Sequence, residues 1–145
     1  MPERAIRNSE YVSQIKDFSG LWFGSILPTD IDAFLDFQDR LFVFVELKYE
    51  DGQMKRGQRL ALERLCDACG NEKRDSCLIV GKHDSQIGEE IDTAQAHVTE
   101  VRWQKQWYDW LGRNETVRDV IERLLERCDI HIPHHITQPL VLARR

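Results

Sequence analysis

The sequence predicts an α/β or α+β domain in which helices pack on a mixed central β-sheet. Three observations support this fold class: the element order helix, hairpin, helix, strand, strand, helix; a strong hairpin pattern from Thr29 to Lys48; and a clear amphipathic helix from Thr116 to Arg127. Elements in this order are expected to form layers of helix on sheet. No internal repeat or low-complexity linker interrupts the chain, so a single domain over residues 1–145 is predicted.

The composition is that of a soluble globular protein, with 41% hydrophobic and 31% charged residues. No apolar run approaches about 18 residues and no signal-peptide pattern is present, which predicts a cytoplasmic protein with no membrane partner. The formal net charge of -5 is unusual for a protein that binds nucleic acid. Such binding would need a bound metal or local basic patches, for which the candidates are Lys55-Arg56 with Arg59, and Lys73-Arg74.

An amphipathic helix is predicted near the start, from Ser9 to Phe18, with Tyr11 and Ile15 on its apolar face. Glu10 lies in its first turn, where an acidic residue ordinarily compensates the helix dipole. A glycine-bounded aromatic segment, Gly20 to Leu27, then links this helix to the hairpin.

The hairpin consists of two β-rich runs, Ile31 to Phe37 and Leu41 to Leu47, joined by the polar loop Gln38-Asp39-Arg40. Side chains alternate between the two faces of a strand. One face therefore carries Phe34, Phe42 and Phe44, and the other carries Ile31, Phe37, Leu41, Val43, Val45 and Leu47. Both faces are apolar, which predicts a strand pair covered on both sides.

Charged residues gather at one end of this hairpin. If the turn centres on Asp39, Asp32 lies opposite Glu46, and Asp30 lies opposite Lys48. Opposed residues have Cβ atoms about 4.5–5.5 Å apart, which is close enough for two carboxylates to share a divalent cation. An ordinary solvated sheet face is the alternative explanation. Opposed carboxylates repel each other unless something neutralises them, which favours a site.

A helix follows the turn Glu50-Asp51-Gly52, with its clearest pattern from Gly57 to Leu65. The 3.6-residue period places four residues on its inward face, namely Gln58, Leu62, Leu65 and Cys69. A glutamine on that face needs polar partners, which a site at the end of the hairpin would supply.

The segment Pro28-Thr29-Asp30-Ile31-Asp32, followed across the hairpin by Glu46-Leu47-Lys48, resembles the PD-(D/E)XK nuclease superfamily. It looks closest to small phage or archaeal endonucleases of the Holliday-junction-resolvase type, over about residues 8 to 65. The resemblance implies a restriction-endonuclease-like fold, a mixed central sheet flanked by helices with the hairpin at its middle. It also implies a Mg²⁺-dependent endonuclease that hydrolyses phosphodiester bonds in DNA, with Mn²⁺ able to replace Mg²⁺.

Site residues follow from the resemblance. The implied catalytic residues are Asp32, Glu46, Lys48 and Gln58. The implied metal ligands are the side chains of Asp32 and Glu46 and the backbone carbonyl oxygen of Leu47. Lys48 would orient or activate the attacking water, and Gln58 would fix Lys48 or that water. The accessory candidates are Glu10 and Asp30, and whether Asp30 or Asp32 is the main ligand stays open.

Several alternatives stay open beside the nuclease. The first is a catalytically silent nuclease fold or a zinc-stabilised binding module, with a zinc set drawn from Cys66, Cys69, Cys77 and His83. Against zinc, cysteines at a helix end and in an apolar strand pack well as reduced thiols. The second is a nuclease that acts on RNA. For assembly and location, a homodimer is expected, and the cytoplasm of the bacterial host if a phage encodes the chain.

The second half of the chain predicts the rest of the sheet and its cover. Strands are expected from Cys77 to Val80, ended by Gly81, and from Ala94 to Trp103 with Val98 and Val101 on opposite faces. The aromatic group Trp103, Trp107, Tyr108 and Trp110 is expected in the core, with stacking on unpaired bases as the alternative. The helix from Thr116 to Arg127 carries an unbroken apolar stripe and is expected to cover the core.

Overall fold

The computed structural model describes residue 14 and residues 16–133. Thr29–His131 form one compact unit, and the described residues 14, 16–28 and 132–133 belong to a second. The second unit contains a short 3₁₀ turn at Ser19–Leu21 and a tight turn closed by Phe23 and Ile26. Every α-helix and every strand of the sheet described below lies in the first unit. A single domain over residues 1–145 stays a prediction.

The first unit is a mixed α/β structure with a five-stranded sheet and two helices. In chain order its elements are β1 (Ala33–Phe37), β2 (Leu41–Tyr49), α1 (Arg56–Cys69), β3 (Asp75–His83), β4 (His97–Trp103), β5 (Gln106–Asp109) and α2 (Val117–Arg127). The strands lie in the sequential order β1-β2-β3-β4-β5. All neighbouring pairs are antiparallel except β2 and β3, which run parallel and are connected through α1.

The predicted hairpin register is confirmed over the paired strands. Ala33 lies opposite Val45 and Phe37 opposite Leu41, the register that a turn centred on Asp39 requires. Gln38 and Asp39 have φ values of 59° and 60°, left-handed conformations that short polar turns accommodate. β1 begins at Ala33 rather than Ile31, so the ladder stops one residue short of Asp32.

The two helices cover opposite faces of the sheet. Leu62 and Cys66 of α1 pack in one cluster with Phe44 of β2 and with Leu78 and Val80 of β3. On the other face, α2 packs over Gly81 of β3. A Cβ at this glycine would lie 3.1 Å from Leu47 Cδ2 and 3.5 Å from Val117 Cγ2 of α2. Thr116 caps the N-terminus of α2 with a capping box. Its side-chain oxygen accepts a hydrogen bond from the backbone N–H of Asp119, and the Asp119 carboxylate accepts one from the backbone N–H of Thr116. In the described ranges, no helix is both long enough and apolar enough to cross a bilayer.

Two of the predicted strands have different limits. β3 continues through Gly81 to His83, although Gly81 was expected to end the strand. Only a glycine fits here without a shift of its neighbours, because a Cβ at this position would lie 3.1 Å from His97 O. β4 begins at His97 rather than Ala94, and Thr93–Gln95 form a 3₁₀ turn. A register shift at Val80 and Gly81 pairs Gly81 with Val98 and Ile79 with Val101.

That shift corrects the predicted alternation in β4. Val98 and Val101 were expected on opposite faces, but they lie opposite Gly81 and Ile79, which share one face of β3. Both valines are buried on that face, with exposures of 4% and 2%. An extra residue on one strand of a bulge resets which side chains point inward. β5 was not predicted, because the turn before it uses Gln104 and Lys105 at positive φ instead of the usual asparagine or glycine.

The inward face of α1 also differs from the prediction by one position. Leu65 is 37% exposed, whereas Cys66 is 2% exposed and belongs to the core cluster. Ile31 was predicted on the face opposite Phe44. It precedes β1 and packs against the Phe44 cluster instead.

Truncating Leu62 tests whether α1 covers the sheet as described. Leu62→Ala should lower the free energy of unfolding by about 2–5 kcal/mol, because it removes buried methyl groups and leaves a cavity. Leu60 is two residues away on the same helix and is 36% exposed, so Leu60→Ala should cost less than about 1 kcal/mol. Urea denaturation of both variants provides the measurement. Equal losses would contradict the packing of α1.

Candidate active site

The second half of β2 presents the three residues of the Glu46-Leu47-Lys48 motif. Because side chains alternate along a strand, Glu46 and Lys48 point towards α1 and Leu47 points towards α2. β2 has β1 on one side and β3 on the other, so it is interior to the sheet. Glu46 is consequently only 3% exposed.

Gln58 connects Glu46 and Lys48 in one hydrogen-bonded network. It is the third residue of α1, and its Nε2 donates to Glu46 Oε2 at 2.8 Å. Its Oε1 accepts from Lys48 Nζ at 2.8 Å, and the same ammonium lies 3.0 Å from Glu46 Oε2. Each of the three side chains therefore contacts the other two.

Asp32 joins β2 through the backbone. Its Oδ2 accepts from Leu47 N at 2.7 Å, although Asp32 itself lies before β1 and is exposed. Its negative charge acts on Glu46, whose pKa it helps to raise. Asp30 is exposed and lies two residues further from the strand, so its predicted cross-strand pairing with Lys48 is not part of the ladder.

The carboxyl group of Glu46 is held in an electrostatically unfavourable place. Burial is the largest cause that raises its pKa, and the charge of Asp32 raises it further. The hydrogen bonds from Lys48 and Gln58 and the positive charge of Lys48 oppose this, but they do not cancel it. Among the described residues, Oε1 of Glu46 is a buried oxygen without a hydrogen-bond partner. Such an atom is costly unless a proton or a cation satisfies it.

Lys82 is a nearby cation that the sequence analysis did not single out. It lies beside Lys48 in the parallel register of β2 and β3, and it is exposed. Next to this pair, the rings of Tyr49 and His83 meet edge to face at 5.7 Å. The parallel pairing that brings these residues together connects distant parts of the chain, so no local pattern indicated it.

The candidate zinc residues are not brought together. Cys66 packs with Phe44 and Leu78 on the α1 face, whereas Cys77 pairs with Val43 on the α2 face. Burial raises the pKa of Cys66 to about 11 and that of Cys77 well above its usual range. All four cysteines have free thiols. Within the described residues, no three His, Cys, Asp or Glu side chains are grouped as a metal site.

Two arginines of the predicted basic patches, Arg59 and Arg74, are engaged within the protein. Arg59 makes two hydrogen bonds to Glu100 and stacks 3.9 Å from the centre of the Trp107 ring. Arg74 pairs with Asp39 at 2.6 Å. These two guanidinium groups would have to leave their carboxylate partners before they could bind phosphate.

Two predictions concern residues near the start of the chain. Glu10 and most of the helix predicted from Ser9 to Phe18 lie outside the described residues. The described last part of that segment, residues 16–18, is not helical.

Comparison with known proteins yields no relative: no family model matches the chain, and neither curated proteins nor solved structures give a match.

Glu46→Gln should raise the free energy of unfolding at pH 7, because the amide has no charge to bury and its oxygen still accepts from Gln58. In the wild type, the stabilising contribution of neutral Glu46 is complete below the ordinary glutamate pKa of about 4.3. It is lost as pH rises through the raised pKa of the folded state. The advantage of the variant should therefore grow from about pH 4 to about pH 7 in urea unfolding.

The matched control is the exposed Glu72, for which Glu72→Gln should follow the wild type at each pH. A Glu46→Gln protein that is less stable than the wild type at neutral pH would show that the carboxylate is a net stabiliser.

Proposed function

We propose that this protein is a metal-dependent endonuclease that hydrolyses phosphodiester bonds in DNA. The observation that carries the proposal is the buried Glu46, whose Oε1 lacks a partner in the described structure while Lys48 and Gln58 hold its Oε2. Asp32 lies beside it, fixed on the backbone of Leu47. These are the residues that the resemblance to PD-(D/E)XK nucleases implies. Two carboxylates, an ammonium and an amide in one cluster are a suitable set for phosphodiester hydrolysis.

A purely structural ion pair is a weaker explanation for the same residues. A buried ion pair stabilises a fold when hydrogen bonds satisfy the remaining polar atoms of both partners. Here one carboxylate oxygen is left over, and a second carboxylate raises the pKa of the first. Raised pKa values of this kind concentrate at functional sites.

A divalent cation fits these residues. The unpartnered Oε1 of Glu46 would serve as one ligand, together with the Asp32 carboxylate and the Leu47 carbonyl oxygen. Mg²⁺ is usually bound by one or two carboxylates while it keeps waters and contacts substrate phosphate, and Mn²⁺ accepts the same oxygen ligands. When bound, the cation would supply a bound water of lowered pKa and a positive charge near the scissile phosphate.

Lys48 would act on the water and on the charge of the phosphate. Its ammonium is held by Glu46 and Gln58, yet its side chain is still 22% exposed and so reaches the solvent at the mouth of the site. A fixed cation there would orient the attacking water and offset negative charge that builds on the phosphate. Gln58 would position Lys48, because its amide donates to Glu46 and accepts from Lys48 at once.

The proposal extends to the fold family, the location and the assembly. β2 and β3 lie inside the sheet under α1, where a restriction-endonuclease-like fold would present the motif. The hairpin is not at the middle of the sheet as the resemblance implied, because β1 is an edge strand. We place the enzyme in the cytoplasm, or in a bacterial host cytoplasm if a phage encodes it. A chain this small that cuts both strands would gain from two-fold pairing as a homodimer.

A catalytically silent binding module with the same fold is the second candidate. The net charge of -5 favours it, because an enzyme that acts on DNA usually has a basic footprint. Stabilisation by zinc gains no support, because Cys66 and Cys77 lie on opposite faces of the sheet. Cleavage assays separate the enzyme from the silent protein, and an RNA substrate in the same assays tests the RNA alternative.

Lys48→Ala should reduce Mg²⁺-dependent cleavage by about 100-fold or more, because it removes the fixed cation at the reacting phosphate. The measurement uses labelled duplex, single-strand, flap and four-way-junction DNA and an RNA strand, each in Mg²⁺, Mn²⁺ and EDTA. Lys105→Ala, at an exposed lysine in the turn between β4 and β5, should cut at the wild-type rate. Wild-type activity in Lys48→Ala would refute the assignment, and no cleavage by folded wild-type protein would favour the silent alternative.

Asp32→Asn should weaken Mn²⁺ binding, measured by calorimetry without DNA, because it removes a charged ligand beside Glu46. Asp30→Asn makes the same chemical change two residues away and should leave the dissociation constant within about twofold, as expected of a distant exposed carboxylate. The reverse order would make Asp30 the main ligand. Equal binding by both variants and the wild type would exclude this site as the metal centre.

A further inference from the structure

A groove lies on the opposite face of the sheet from Glu46, between the β4–β5 hairpin and α2. Its volume is about 600 Å³, and its floor is aliphatic, from Val101, Val120 and Leu124. Val101 pairs with Ile79, on the face that α2 covers. The groove is therefore separate from the candidate active site, which lies under α1.

Three aromatic rings line this groove, those of Trp103, Tyr108 and Trp110. They were predicted to be core residues together with Trp107. Trp107 does pack against the Phe44 cluster. Tyr108 is 40% exposed, and Trp103 and Trp110 are half-buried. Alternation in β5 explains the difference, because Trp107 and Tyr108 point to opposite faces.

Three arginines surround the rings, against one acidic lining residue. The guanidinium group of Arg113 lies 4.1 Å from the centre of the Trp110 ring, and that of Arg127 lies 5.9 Å from Trp103. Arg123 also lines the groove, and Glu126 is the acidic residue. This local excess of positive charge contrasts with the net charge of -5 for the whole chain.

Hydrogen bonds hold part of this lining in place before any ligand binds. Trp110 Nε1 donates to Glu115 Oε1 at 2.8 Å, and the other carboxylate oxygen of Glu115 pairs with Arg123. The Trp110 backbone N–H donates to Thr99 O at 2.9 Å, which ties the ring to β4. A ring and a guanidinium group that are already fixed lose less freedom when a ligand binds.

We infer that this groove binds unpaired nucleotides of a nucleic-acid strand. Bases would stack on the exposed ring of Tyr108 and on the half-buried tryptophans, and the arginines would contact backbone phosphates. Rings that offer stacking surfaces beside cationic side chains are the combination that single-stranded nucleic acid requires. The positive charge favours a polyanion over a neutral apolar ligand.

Binding at this groove does not depend on catalysis at the other face. A strand held here would be bound equally by an active nuclease or by a silent protein. Measuring binding with Lys48→Ala in EDTA removes cleavage, and further substitutions at the groove then show whether the strand is bound there. Failure of the groove and failure of the nuclease proposal thus give different results.

The experiment measures binding by the fluorescence anisotropy of labelled 15-nucleotide strands. The probes are oligo-dT, oligo-rU and an abasic strand of equal length. Tyr108→Ala should weaken binding of oligo-dT about tenfold, because one stacking platform is lost, whereas Tyr108→Phe keeps the ring and should bind like its parent. Arg127→Glu should weaken binding and reduce its dependence on salt. Arg64→Glu makes the same charge change at an exposed position of α1 and is the matched control.

The outcomes separate the occupants of the groove. Tighter binding of oligo-dT or oligo-rU than of the abasic strand, lost in Tyr108→Ala, supports the inference. Equal binding of the abasic strand would reveal a general anion surface and overturn it. No binding by either strand, or equal losses in Arg127→Glu and Arg64→Glu, would also overturn it, provided that circular dichroism shows each variant folded.

Discussion

The parallel pairing of β2 with β3 is the constraint on which the rest of the structure depends. Parallel neighbours need a crossover connection, and α1 provides it within the residues between Tyr49 and Asp75. Because α1 begins soon after β2 ends, its first turn lies over the last residues of β2. Gln58 therefore contacts Glu46 and Lys48 as a direct result of topology. The same pairing makes β2 an interior strand, which leaves Glu46 only 3% exposed.

Local signals predicted the hairpin well, because its information is contained in a short stretch. Alternation and a polar loop were sufficient to give the register from Ala33 opposite Val45 onwards. The inward direction of Gln58 also followed from helical periodicity. The contact of Asp32 with the Leu47 backbone was not predicted, because β1 begins only at Ala33. The Asp32 carboxylate therefore accepts a hydrogen bond from the Leu47 backbone N–H and does not extend the strand pairing.

Features that depend on distant parts of the chain were predicted less well. The burial of both Val98 and Val101 depends on a bulge opposite Gly81, which no pattern within β4 reveals. β5 is four residues long, and its turn lacks the usual glycine signal, so tertiary pairing with β4 defines it. Cys66 replaces Leu65 in the core because the exact rotation of α1 is set by packing against Phe44 and Leu78.

The ion pairs of this protein differ in how well their polar atoms are satisfied. Arg102 makes two hydrogen bonds to Asp67, and Arg59 makes two to Glu100, so both oxygens of each carboxylate have partners. Glu46 is more buried than either carboxylate and yet retains an unpartnered oxygen in the described structure. Burial without full pairing lowers stability. Because this cost is kept at Glu46, we infer that its free oxygen has a functional role, which is to bind a cation or a proton.

The distribution of charge matters more for ligand binding than the net value of -5. On the α1 side, Arg59, Arg74 and Arg102 each pair with a carboxylate. In the groove beside α2, Arg123 also pairs with a carboxylate, that of Glu115, but Arg113 and Arg127 lie over tryptophan rings. A guanidinium group over a ring keeps its full charge for an incoming anion, whereas a carboxylate partner would compete with that anion for the same N–H groups. The salt dependence of binding reports how many phosphates are neutralised at the contact itself, and not the net charge of the protein. An acidic chain can therefore bind a nucleic-acid strand at a groove where its arginines lie on aromatic rings.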